Sequence, residues 1–97
     1  MEDQFVTYPL ALILKELGFN KQCIAYWYKY GKKNPKLLFY DYDEDDMKSK
    51  TFTLAPLWQQ AYWFLLSKFE EVNGFKATSW KFTTDEEEYF KMIKSCK

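Results

Sequence analysis

The sequence of 97 residues contains no histidine and no arginine, although it contains 14 lysines. Histidine titrates near neutral pH and is the commonest metal ligand, and arginine binds phosphates and carboxylates through paired hydrogen bonds. A nucleophilic serine or cysteine would have only carboxylates and lysines to activate it, and no spacing in the sequence singles out such a pair. We therefore predict that the chain is not an enzyme and that it holds no metal and no cofactor.

Cysteines, glycines and long apolar runs are also scarce. Cys23 and Cys96 show no CxxC spacing, which predicts reduced, buried thiols rather than a disulfide framework or a zinc site. The 3 glycines are dispersed, so the chain has no Gly-rich phosphate-binding loop. The longest apolar run, residues 61–66, is too short to cross a bilayer, and the amino-terminal residues lack the basic start of a signal peptide. These features predict a cytoplasmic protein with no membrane partner.

Aromatic residues are abundant, at 22% of the chain, and apolar residues reach 47%. Such a composition supports a packed core and differs from the low hydrophobicity of disordered chains. The 14 lysines balance 14 aspartates and glutamates, so no net charge draws the chain toward nucleic acid or an anionic membrane. Because the length suits one ordinary domain, residues 1–97 are predicted to form a single globular domain.

Three segments have the pattern of helices. The first begins at Thr7, with a proline in its first turn, and ends at Gly18. The second and longest begins around Pro56 and ends at residues 73–74, and the third follows a capping box that starts at Thr84. The apolar stripes of the first two helices are predicted at Leu10, Ile13, Leu14 and Leu17, and at Leu54, Trp58, Ala61, Tyr62, Leu65, Phe69 and Val72.

Strands are predicted at residues 23–30, 37–43 and 75–82, where aromatic and β-branched residues are frequent. The first two flank a turn at residues 31–35 and are predicted to form an antiparallel hairpin. The predicted fold class is α+β, with a small three-stranded antiparallel sheet packed with three helices in the order αββαβα.

One segment after the predicted hairpin is strongly acidic. Its carboxylates are Asp41, Asp43, Glu44, Asp45 and Asp46. The segment starts like an EF-hand loop, but Asp46 and Phe52 replace the glycine and the glutamate that the sixth and twelfth positions require. Three interpretations stay open: a solvated loop extended by charge repulsion, a weak divalent-cation site of another type, and an acidic patch that contacts a basic partner.

Lysines and aromatic residues alternate around the predicted hairpin. The lysines near its turn are Lys29, Lys32, Lys33 and Lys36. Because side chains alternate along a strand, one face of the first strand would carry Ile24, Tyr26, Tyr28 and Tyr30, and the other Cys23, Ala25, Trp27 and Lys29. Exposed rings beside lysines can stack the bases of single-stranded nucleic acid. The acidic segment would repel phosphate, however, and the simpler interpretation is that these lysines keep a sheet edge soluble.

The longest predicted helix carries a tryptophan on its polar side. At about 100° per residue, Trp63 falls on one arc with Gln59, Gln60, Ser67, Glu70 and Glu71. A large aromatic side chain with polar neighbours is typical of protein interfaces. Leu12 likewise points away from the apolar stripe of the first helix. A second covering layer or a partner would explain both residues, and we predict partner contacts at Trp63, Leu12 and the acidic segment.

Several short segments together resemble a known group of proteins. They are residues 5–8, residues 14–19, Cys23 and residues 55–61. In these segments the chain resembles small uncharacterised proteins of phages, prophages and mobile elements of Bacteroidetes-type gut bacteria. The shared positions are helix starts, helix ends and core residues, so the resemblance implies a compact fold and a mobile-element origin and transfers no catalytic residue.

These observations favour surface recognition over chemistry. The leading hypothesis is a non-enzymatic protein-binding module, an accessory factor of a phage or mobile element that modulates a host or phage protein. One alternative is a single-stranded nucleic-acid binder that uses the sheet aromatics and the hairpin lysines. Another is a structural homo-oligomer formed through exposed aromatic surface.

Overall fold

The computed structural model describes residues 2–39 and 41–97. After a short 3-10 turn at Glu2–Gln4, the elements are α1 (Tyr8–Glu16), β1 (Tyr26–Tyr28), β2 (Lys36–Leu38), α2 (Glu44–Lys48), β3 (Phe52–Leu54), α3 (Trp58–Asn73) and α4 (Glu86–Ser95). The three strands form one antiparallel sheet in the order β2-β1-β3. The predicted α+β class is confirmed, and the order of elements roughly matches the predicted one. Tyr40, in the predicted second strand, lies outside the described residues.

The central strand β1 pairs with both neighbours along its whole length. Trp27 lies opposite Leu37 on β2 and opposite Thr53 on β3. The pairing continues beyond β1, because the amide of Ala55 donates to the carbonyl of Ala25 at 3.1 Å. The predicted hairpin is therefore correct in pairing and too long in its strands.

The two faces of the sheet contact different cores. On one face, Tyr26, Phe52 and Leu54 pack against the main core, which α1, α3 and α4 complete. On the other face, Leu37 joins a small second core with Phe5, Ala25 and Ala55. Trp27 contacts both cores. Each face of the hairpin is therefore at least partly covered.

Tyr89 of α4 lies in the main core, and its side chain is fully buried. Its hydroxyl lies 2.9 Å from the carbonyl oxygen of Trp58 and 2.7 Å from that of Thr83. A buried phenol needs such acceptors, because an unpaired hydroxyl in an apolar core is costly. Tyr89 therefore links α4 to the start of α3 and to the segment before α4.

The predicted third strand at residues 75–82 is wrong: this segment is irregular, and the third strand is β3. The rings of the segment pack on α3 instead. Phe75 and Trp80 both contact Phe69, at ring distances of 5.5 and 4.9 Å, and Phe82 contacts Tyr62 at 5.7 Å. Residues 75–82 are thus held by ring contacts with α3 and do not pair with a strand.

Some core positions also differ from the prediction. Leu54 is buried as expected, but it belongs to β3 rather than to the long helix. Val72 is 48% exposed, so the apolar stripe of α3 ends before its last turn. In α1, Leu10 and Leu14 are buried, whereas Ile13 only packs against the edge of the core.

The helix caps explain two further differences. Thr7 occupies the N-cap position of α1 as predicted, but its hydroxyl donates to the carboxylate of Glu86 instead of accepting from its own helix. The N-cap of α4 is Asp85 rather than Thr84, and its carboxylate accepts from the amide of Glu87 at 3.0 Å. The Thr7 contact joins the beginnings of α1 and α4.

The predicted reduced, buried cysteines are confirmed, because Cys23 and Cys96 are both free and buried. In the part of the chain that the structure describes, no helix has the length and apolar character needed to cross a membrane.

Candidate functional site

Trp63 lies exposed on α3, with 59% of its surface accessible. The buried side of this helix carries Trp58, Ala61, Tyr62 and Leu65. Trp63 borders a groove of about 690 Å³ between α3 and the segment that follows α1. The residues lining this Trp63 groove are Leu17, Gly18, Asn20, Lys21, Gln60, Trp63, Phe64, Ser67, Lys68 and Glu71.

The segment after α1 forms a wall of the Trp63 groove because it is attached to α3 at two points. Gly18 has a φ of 95°, a left-handed conformation that suits glycine and turns the chain after α1. The next residue, Phe19, is buried and contacts the ring of Phe64 edge-on at 5.1 Å. Further along, the side-chain amide of Gln60 donates to the carbonyl of Gln22 at 3.1 Å. The groove is thus part of the folded chain itself.

The rim of the Trp63 groove is polar and carries both signs of charge. Lys68 forms an i,i+3 ion pair with Glu71 at 3.9 Å. Lys21 is exposed and has no ion-pair partner among the described residues. Leu17, Trp63 and Phe64 supply apolar surface to the same groove. Apolar residues surrounded by a charged rim are the usual composition of a protein-binding surface.

The acidic segment is not an extended loop, because most of it forms the start of α2. The carboxylate of Asp43 accepts from the amide of Asp46 at 2.9 Å, and the carboxylate of Asp46 accepts from the amide of Asp43 at 3.0 Å. This reciprocal pair is a capping box. Glu44 and Asp45 lie in the first turn, where the helix dipole favours negative charge. The prediction of a solvated loop is therefore wrong for residues 43–46.

The acidic carboxylates do not converge on one point. Among residues 2–39 and 41–97, no three acidic or cysteine side chains lie close enough together to hold a metal ion. The arrangement of the described residues therefore gives no support to the cation-site interpretation.

The acidic segment instead borders a second cleft, of about 570 Å³, at the open end of the hairpin. Its apolar wall includes Ile24 and Phe39, which are 66% and 46% exposed. The carboxylate residues that line it are Asp41, Asp43 and Glu44. In the described chain, no lysine forms a salt bridge with these carboxylates. We call this feature the acidic cleft.

Tyr42 fixes the acidic cleft to the sheet. Its hydroxyl accepts from the amide of Cys23 at 2.9 Å and lies 3.1 Å from the carbonyl of the same residue. Its ring contacts Tyr26 and Phe52, which hold it against the main core.

Burial raises the pKa of the Cys23 thiol to about 12, so the thiol stays protonated at neutral pH and is a poor nucleophile.

The hairpin turn carries exposed lysines and rings, and we call residues 29–36 the hairpin tip. Tyr30 is 64% exposed, and the ammonium of Lys29 lies 5.7 Å from the ring centre of Tyr8. The predicted aromatic face of β1 is interrupted, however. Tyr26 stacks on Phe52 at 4.5 Å and belongs to the core edge, which leaves Tyr30 as the exposed ring of the tip and Tyr28 as an exposed ring at the end of β1.

The three predicted contact features do not form one surface. The Trp63 groove and the acidic cleft lie on either side of Asn20, which lines both. Leu12 is 37% exposed, in agreement with its predicted orientation, but it lines neither of them. Sequence reasoning missed Phe39, and the available signal was an apolar residue two positions before the acidic segment.

The chain matches no known protein-family model, no curated protein and no solved structure. The geometry of the two surfaces therefore provides the basis for a functional proposal.

Proposed function

We propose that the chain is a non-enzymatic protein-binding module that engages its partner through the Trp63 groove. The observation that carries the proposal is a tryptophan, 59% exposed, beside a preformed groove that has apolar residues in its lining and a charged rim. Tryptophan is among the residues most enriched at interface hot spots, where it is surrounded by polar contacts that exclude water.

The partner that suits this groove is an amphipathic helix of another protein. A groove between a helix and a fixed segment accepts apolar side chains spaced by three or four residues. Leu17 and Phe64 offer contacts for such anchors, and Lys21 offers a cation to an acidic residue at the edge of the partner helix. We therefore propose a partner segment with one apolar face and an acidic flank.

The proposed biological role follows from the resemblance to mobile-element proteins. In this role the chain is a cytoplasmic accessory factor of a phage or mobile element and binds a host or phage protein. The absence of histidine and arginine supports recognition rather than catalysis as its mode of action.

Site-specific photo-crosslinking tests the proposal. A benzoylphenylalanine is placed at position 63, or at position 75 as a control, and each protein is irradiated in a lysate of a Bacteroidetes-type gut bacterium. Phe75 is a matched control because it is 62% exposed and lies outside the Trp63 groove. We expect position 63, and not position 75, to form an adduct with one defined peptide of a partner protein.

The partner is then purified and titrated with the unmodified protein and its variants. Trp63→Ala should weaken binding by about 30-fold, the loss typical of a hot-spot residue, while Phe75→Ala should leave the Kd unchanged. Equal affinity of the purified partner for Trp63→Ala and the parent protein would contradict the proposal, as would identical adducts from positions 63 and 75.

The exposed lysines of the hairpin tip and the exposed ring of Tyr30 favour the nucleic-acid alternative. A fluorescent oligothymidylate titrated at low salt tests it by anisotropy. If the tip binds nucleic acid, affinity should fall steeply with added salt and should fall again in the variant Lys32→Ser/Lys33→Ser. No change in anisotropy at low salt would remove this alternative.

A further inference from the structure

The hairpin carries opposite charges at its two ends. At the turn, Lys32 and Lys33 are exposed and lie close in sequence to the exposed ring of Tyr30. At the open end, Asp41 and Glu44 line the acidic cleft. The chain as a whole is electrically balanced, but the order of its residues groups lysines in one segment and carboxylates in the next, and the hairpin places these two groups at opposite ends.

The two ends cannot meet within one copy of the chain. The extended ladder runs from Ala25, whose carbonyl accepts from Ala55, to Lys29, whose amide donates to Thr51. At about 3.3 Å per residue, the path from Ile24 to the tip is about 20 Å long. An interaction between tip and cleft therefore needs a second molecule.

The chemistry of the hairpin tip matches that of the acidic cleft. The apolar wall of the cleft, formed by Ile24 and Phe39, can cover the ring of Tyr30. The adjacent carboxylates, which have no lysine partner in the described chain, can pair with Lys32 and Lys33. The cleft thus offers both kinds of contact that the tip requires.

We propose that the hairpin tip of one copy docks in the acidic cleft of a second copy. The interface is heterologous, since each copy contributes a different surface, and repetition of the contact forms a ring or an open chain. A contact limited to one hairpin tip buries less than the ~1,200 Å² of standard interfaces and belongs to the weak class. Its strength depends on ionic strength, because the paired charges lie near solvent.

Sedimentation velocity over a range of concentrations tests the proposal. The full chain should self-associate at low salt with a Kd below about 1 mM and dissociate at high salt. Two neutralised variants are informative: Lys32→Ser/Lys33→Ser removes charge from the tip, and Asp41→Asn/Glu44→Gln removes it from the cleft. Each variant alone should associate about tenfold more weakly than the parent.

Mixing the two variants provides the decisive measurement. The variant with the neutral tip keeps an acidic cleft, and the variant with the neutral cleft keeps a basic tip. The mixture should therefore form a one-to-one complex that does not grow further. Circular dichroism spectra that match the parent would show that both variants fold.

A matched control replaces two lysines that lie outside the hairpin. Lys76 and Lys81 are both exposed, so Lys76→Ser/Lys81→Ser makes the same change in net charge as the tip variant. Self-association of this control should equal that of the parent. A parent protein that stays monomeric up to about 1 mM at low salt would overturn the proposal. A control that weakens association as much as the tip variant, or a mixture without complex, would also overturn it.

Discussion

The polar atoms of the aromatic side chains connect segments that are distant in the sequence. The indole nitrogen of Trp27 donates to the carbonyl of Val6 at 3.0 Å, and that of Trp58 donates to the carbonyl of Asp3 at 2.7 Å. The hydroxyl of Tyr42 makes the same kind of contact with Cys23. Aromatic residues therefore provide both the core and its specific cross-links in a chain that has no arginine and no histidine.

The buried thiol of Cys23 should be almost unreactive in the folded protein. Burial raises its pKa to about 12, whereas an unfolded thiol titrates near ~8.5. In the variant Cys96→Ala, alkylation of the remaining thiol at pH 9 should be more than ~100-fold slower than in urea, because the thiolate is the reactive form. Rates are followed by mass spectrometry with iodoacetamide, and similar rates with and without urea would contradict this prediction.

The same pKa shift has a consequence for stability. The folded state favours the protonated thiol, so this contribution to stability is complete at pH values below the unfolded pKa of ~8.5. It is lost as the pH rises from there toward 12, since the unfolded thiol ionises first. Unfolding free energy should therefore decline less steeply over this range when Cys23 is replaced by alanine.

At the scale of elements, the helices could be predicted from the sequence and the third strand could not. Thr7, Gly18 and the glycine after α3 mark helix ends through local rules, and the structure places helix ends at or near all three. A strand needs a partner far away in the chain. β3 occupies the free edge of β1, so the aromatic residues of 75–82 have no place beside β1 and pack on α3.

The candidate surfaces likewise differ in whether they depend on local sequence or on contacts between distant residues. The position of Trp63 on the polar arc of α3 follows from helical periodicity, which is local, whereas its exposure is left open by the sequence and is 59% in the structure. The acidic cleft depends on the hydrogen bond between Tyr42 and Cys23 and on the hairpin pairing that makes Ile24 and Phe39 line the same cleft. No spacing of residues in the sequence predicts either of these two arrangements.

The capping box of α2 should contribute measurably to stability. Asp43→Ala removes the acceptor for the amide of Asp46 and leaves that helix start uncapped. We expect a loss of about 1 kcal/mol in the free energy of unfolding, measured by urea denaturation. Asp41→Ala is the control, because Asp41 precedes the cap and should change the free energy by less than ~0.5 kcal/mol. Equal effects of the two substitutions would argue against the cap.

At the scale of the whole molecule, the candidate surfaces and the core use the same kinds of side chain in different places. Trp58 and Trp63 belong to the same helix, yet they are 7% and 59% exposed. The ring of Trp58 packs on Tyr89 at 5.2 Å within the main core, while Trp63 borders an open groove. Binding through the Trp63 groove and docking at the acidic cleft should therefore be separable from folding and from each other.

Two alanine substitutions in α3 test this separation. Trp58→Ala should lower the free energy of unfolding by about 3–5 kcal/mol, because it leaves a cavity in the core and removes a hydrogen bond to Asp3. Trp63→Ala should change it by less than ~0.5 kcal/mol and should leave the salt-dependent sedimentation of the protein unchanged. Urea denaturation and sedimentation velocity measure the two effects. A large loss of stability in Trp63→Ala would mean that this side chain supports the core, and the groove could then no longer be treated as a surface free for a partner.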